Sequence, residues 1–129
     1  MSSIERDIKI RRVNALQISA FDARRNRKFG EAAFKMLDAA TAMDQLDLPK
    51  AAKRLRLSAA FLEYREGRKN YTEGFPLLGA VWYKSSGLHL LGDGRKEGRL
   101  VLEKVRMICE RSGTVVAKEM LEAIKREEK

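Results

Sequence analysis

Apolar residues recur along this chain every three or four positions, and no stretch alternates for long enough to suggest a strand. From about Ile4 to Arg25, Ile10, Val13, Leu16, Ala20 and Ala23 mark one helical face. Asn26 to Phe29 reads as a short polar connection. A second helix, about Gly30 to Leu46, carries Ala33, Met36, Leu37, Ala40 and Met43 on its stripe. Pro49 suits a first helical turn, where its missing N–H has no partner to lose. The third helix, about Lys50 to Glu66, aligns Ala52, Leu55, Ala59 and Leu62, and "GRKN" is expected to break it. Thr72 is placed to cap a fourth helix whose core positions are Phe75, Leu78, Trp82 and Ser85, ending at "LGDG". A fifth, about Arg95 to Glu110, buries Val101, Leu102, Val105, Ile108 and Cys109, and "RSGT" supplies a break and a cap. The sixth uses Val116, Ala117, Met120, Leu121 and Ile124 before fraying into "KREEK".

Connections this short force neighbouring helices antiparallel. The expectation is therefore an all-α chain of six helices in three antiparallel hairpins. A hairpin cannot bury its apolar stripe alone, so three would stack as a single domain over residues 1–129.

The hairpins match one another approximately at a period of 42 residues. Ala33, Phe75 and Ala117 coincide, as do Met36, Leu78 and Met120, and Ala40, Trp82 and Ile124. Glu31 meets Glu73, and Asp38 meets Glu122. A non-repetitive helical bundle is the alternative. "KFGEAAFKMLDAATAMDQLDLP" resembles the second half of a tetratricopeptide repeat: an aromatic, an acidic and a small residue, apolar positions along the helix, then a proline. "NYTEGFPLLGAVW" is similar through Tyr71, Glu73 and Gly74, while "GTVVAKEMLEAI" keeps only the later apolar positions. The usual period of that family is about 34 residues, shorter than the one found here.

Charge follows the helices. Residues 1–28 sum to +5, 29–49 to −3, 50–70 to +5, 71–94 to −1, 95–112 to +3 and 113–129 to zero. The first helix of each pair, with its turn, thus carries the excess behind the net charge of +9. Such an excess calls for an anionic partner. The resemblance implies that these first helices line a concave groove, which would be basic, with the second helices forming its back. On helix one the groove face would be Asn14, Gln17, Phe21 and Arg24; on helix three Arg54, Ser58, Phe61 and Arg65; helix five would add Arg99 and Arg106. The phenylalanines would be apolar anchors among guanidinium groups able to grip carboxylates bidentately. The alternative is a merely solvated set of arginines with the phenylalanines in the core.

Little else in the chain suggests chemistry. Cys109 is the only cysteine and His89 the only histidine, so no disulfide or metal is expected, and Cys109 reads as a core thiol. No cofactor is implied. His89 has no partner recognisable by spacing and is read as structural; "GDGRKEG" is read as a helix-ending turn rather than a phosphate loop. Trp82 follows the core stripe, leaving Tyr83 at the surface. The charged amino terminus and the lack of a long apolar run predict a cytoplasmic protein without membrane insertion. The expected function is non-enzymatic: a protein-protein interaction module holding an acidic or extended segment of a partner, with self-association through its ends as an added option. The alternative is a small nucleic-acid-binding protein contacting phosphates through "KIRR", "RRNRK" and "KRLR".

Overall fold

A computed structural model describes residues 1–127. Among them are six helices and no strand: α1 Ser3–Arg25, α2 Phe29–Gln45, α3 Pro49–Thr72, α4 Pro76–Gly92, α5 Glu97–Ser112 and α6 Val115–Glu127. None is long and apolar enough to cross a membrane. The Ser2 hydroxyl accepts the Glu5 N–H at 3.1 Å to start α1, and Thr114 accepts the Ala117 N–H at 3.2 Å to start α6. The last two residues of "KREEK" lie outside the described residues; Lys125–Glu127 are helical.

The chain forms two compact units that meet within α3, Met1–Leu62 and the part from Glu63 onward. In the first, α1 packs on α2. Its core is built largely of alanine: Ala20, Ala23, Ala32, Ala33 and Ala59 close around Phe29 and Leu62, and Ala39, Ala40, Ala42 and Ala52 around Val13 and Leu55. Small side chains let helix axes approach and leave the larger Met36, Leu37 and Met43 at the rim. In the second unit α4 packs on α5, and α6 on both.

Four turns close in the same way. The N–H groups of Lys28, Leu48, Phe75 and Arg95 donate to the carbonyls of Ala23, Met43, Asn70 and Leu90 at 2.8–3.0 Å. The residue before each donor is left-handed: Arg27, Asp47, Gly74 and Gly94, with φ of 59°, 58°, 94° and 77°. This is the six-to-one closure that ends helices when one residue takes positive φ. The turns recur at 47 residues, from Arg27 to Gly74 and from Asp47 to Gly94. The helices α2 and α4, each 17 residues, begin at Phe29 and Pro76 with the same offset. So do their buried small residues, Ala32, Ala33, Ala39 and Ala40 in one and Gly79, Ala80, Ser86 and Gly87 in the other.

This register differs from the 42-residue alignment, which set Ala33 against Phe75 and Ala40 against Trp82. Phe75 and Leu78, expected in the core, are 57% and 49% exposed, and Val116 is exposed as well. Tyr83, expected at the surface, is buried. The third helix does not break at "GRKN" but continues to Thr72, which ends it instead of capping the next. Gly67 is the reason: it sits in mid-helix where α3 crosses α4. A Cβ on it would lie 2.9 Å from the Gly79 carbonyl oxygen, and one on Gly79 would lie 2.8 Å from the Gly67 oxygen. Gly87 and Gly98 repeat the arrangement between α4 and α5, where a Cβ on Gly98 would be 2.6 Å from the Gly87 oxygen.

Alanine normally stabilises a helix over glycine by up to about 1 kcal/mol. At these crossings the sign should invert: Gly79→Ala and Gly98→Ala are each expected to cost about 1–3 kcal/mol in urea unfolding, because the facing backbone cannot yield. Gly92→Ala, with nothing within 4 Å, should be neutral or stabilising.

Candidate functional site

A cleft of about 470 Å³ lies in the second unit between the end of α3 and α5, floored by α4. Tyr64, Arg68 and Tyr71 reach it from α3 at helical spacing, and Lys104, Ile108 and Arg111 from α5 at the same spacing. Tyr83 of α4 comes between them. The helix crossings place it there: a Cβ on Gly67 would be 2.9 Å from the Tyr83 ring, so only glycine leaves room for the aromatic floor.

Tyr64 and Tyr83 meet with ring centroids 5.0 Å apart and planes tilted by 48°. The Lys104 ammonium lies over both rings, 5.3 Å and 5.8 Å from their centroids. Hydrogen bonding with Tyr64 raises the Lys104 pKa above its ordinary value, outweighing a partial loss of hydration, so the cation is held charged. The Tyr83 hydroxyl is pushed up mainly by burial and further by Tyr64. Among the described residues, Arg68, Lys104 and Arg111 have no carboxylate partner, and no acidic side chain lines the cleft. Elsewhere Lys35 pairs with Glu31, Arg56 with Asp44 and Arg95 with Asp93.

A buried polar cluster braces the floor. Glu63 is only 1% exposed, accepts a hydrogen bond from the Ser85 hydroxyl, and lies 2.6 Å from His89 Nδ1. His89 thus has the carboxylate partner that spacing did not reveal, supplied by α3 26 residues earlier. The arrangement ties α3 to α4, with Ser85 and His89 both facing the carboxylate. Among the described residues no group of three or more His, Cys, Asp or Glu could hold a metal ion. Cys109 is buried, and burial raises its pKa, in keeping with a core thiol.

The residues expected from sequence fall elsewhere. Asn14, Phe21 and Arg24 are exposed on α1, with Gln17 half-buried; Arg54, Ser58 and Phe61 are exposed on the first-unit part of α3. Phe21 and Phe61, 60% and 53% exposed, are not core, and the Arg25 guanidinium lies 6.0 Å from the Phe21 ring centroid. Arg65 and Arg99 are exposed in the second unit, while Arg106 is half-buried and paired with Glu103 at 3.0 Å. None of the ten lines the cleft. The 47-residue register nonetheless puts Gln17, Phe21 and Arg24 at the positions that Tyr64, Arg68 and Tyr71 hold on α3. The spacing of Tyr64, Arg68 and Tyr71 is the sequence signal that could have found the site, and ending helix three at Glu66 hid it.

A raised Tyr83 pKa favours the neutral phenol in the folded chain. Its contribution to stability should be intact below the ordinary value of 10.0 and be lost as pH rises beyond it. Tyr83→Phe is expected to flatten the alkaline fall in urea-unfolding free energy; an equally steep fall in both proteins would place the effect on other groups.

Compared with protein-family models, curated proteins and solved structures, the chain has no significant match, so the cleft is interpreted from its own chemistry.

Proposed function

We propose that this protein is a non-enzymatic, tetratricopeptide-like binding module of the cytoplasm whose cleft takes an acidic segment of a partner protein. One observation carries the reading: three cations that have no carboxylate partner among the described residues converge on a tyrosine-lined cavity with no acidic residue in its lining. Cations gathered without counter-ions repel one another, and an anionic guest relieves that repulsion. Arginines at 68 and 111 offer planar forks for carboxylates, and Lys104 offers a charge fixed by two aromatic rings. Met107 and Ile108 add apolar surface for the rest of the segment.

The nucleic-acid alternative rests on the basic stretches "KIRR", "RRNRK" and "KRLR", none of which lines the cleft. Bases need open aromatic faces to stack on. Here Tyr64 and Tyr83 are turned to each other and covered by Lys104.

The test compares two charge-reversal variants binding a library of aspartate- and glutamate-rich peptides. Arg68→Glu with Arg111→Glu is expected to weaken binding about hundredfold. Arg24→Glu with Arg54→Glu and Arg65→Glu is expected to act only through long-range attraction and to lose its effect in moderate salt. The reverse ranking would move the site to the faces first read from the sequence. Tight, steeply salt-dependent binding of mixed-sequence RNA or DNA, with no saturable peptide binding, would replace the proposal with the nucleic-acid reading.

A further inference from the structure

The cleft does not end at its cationic part. A second cavity of about 350 Å³ adjoins it, sharing Tyr71, Ile108 and Arg111 and adding Pro76, Leu77 and Ser112. The first cavity is cationic; the second is mainly aliphatic, with Arg111 at the boundary. Such a pair suits a guest with a concentrated negative charge next to an apolar side chain.

Resting on the acidic-segment reading, we infer that the charged group is a phosphomonoester on the partner chain, a phosphoserine or phosphothreonine, followed or preceded by an aliphatic residue. A carboxylate brings one negative charge and two acceptor oxygens. A phosphomonoester brings roughly −1.5 to −2 and three, closer to the three cations of Arg68, Lys104 and Arg111. The guanidinium groups can each bond two phosphate oxygens, and the Lys104 ammonium, held over Tyr64 and Tyr83, supplies a point charge. Tyr71 lines the same cavity, while the Thr72 hydroxyl there donates to the Lys69 carbonyl at 3.1 Å. The aliphatic residue beside the phosphate would then rest on Leu77, Pro76 and Ile108. A free nucleotide shares the phosphate but offers a flat base to the second cavity, whose walls are aliphatic apart from Tyr71.

The experiment uses the full chain and three oriented libraries of short peptides, identical except for phosphoserine, glutamate or serine at the centre. Fluorescence anisotropy reads binding, with inorganic phosphate and adenosine monophosphate as competitors. The phosphoserine library is expected to bind at least about tenfold more tightly than the glutamate library, with aliphatic residues selected next to the phosphate. Lys104→Met and Arg111→Met should each remove that preference while circular dichroism stays as in the parent, since both residues are exposed on an intact helix. Leu77→Ser should abolish the aliphatic selection and spare the dependence on phosphate. Equal binding of phosphoserine and glutamate peptides would overturn this inference and leave the acidic-segment reading standing. Binding of neither library would overturn both. Competition by adenosine monophosphate at concentrations where inorganic phosphate has no effect would assign the cleft to nucleotides and overturn the peptide assignment.

Discussion

The second unit depends on how closely α4 can approach both neighbours. Gly79 meets Gly67 of α3, and two turns later Gly87 meets Gly98 of α5, with carbonyl oxygens where side chains would otherwise stand. Tyr83 lies midway between the two crossings, one turn from each glycine, and its ring occupies the space that Gly67 leaves. Any side chain larger than hydrogen at the crossings must push the backbones apart, and the tyrosine floor would move with them. In the first unit alanines occupy the matching register on α2, which keeps the same small-residue geometry in a purely apolar core.

Electrostatics follow from that packing. Glu63 is carried into the interior of the second unit by α3, and Ser85 and His89 on α4 satisfy it. One turn further along α3 the exposed side of the helix delivers Arg68, and α5 faces it with Lys104 and Arg111. The carboxylate is thus used up in joining helices, and the cations at the cleft are left without one. Tyr64 and Tyr83 hold Lys104 in place and keep it charged, so the positive potential is built into the wall rather than borne by a wandering side chain.

Much of the helical order was legible because its signals are local. The stripe Val13, Ala20 and Ala23, the turn at Gly94, and the break and cap at Gly113 and Thr114 all appear where periodicity and turn chemistry put them. Errors arose where a residue's role depended on another helix. Gly67 reads as punctuation in isolation, yet it is a contact surface for Gly79 and Tyr83. Phe75 and Leu78 read as core in the sequence because they are large and apolar, whereas α4 buries its small face. The 47-residue recurrence of turns and buried small residues is carried by alanines and glycines, which a stripe of bulky residues outweighs.

By itself, the sequence determined that the chain is all-helical, where most of its helices run, and which of them carry the positive charge, because helical periodicity, capping and charge are properties of neighbouring residues. The tertiary structure alone decided which faces are buried, that Glu63 meets His89, and that Arg68, Lys104 and Arg111 share one cavity with Tyr64, Tyr71 and Tyr83. Those outcomes depend on the distance between helix axes, and glycine pairs far apart in sequence set that distance.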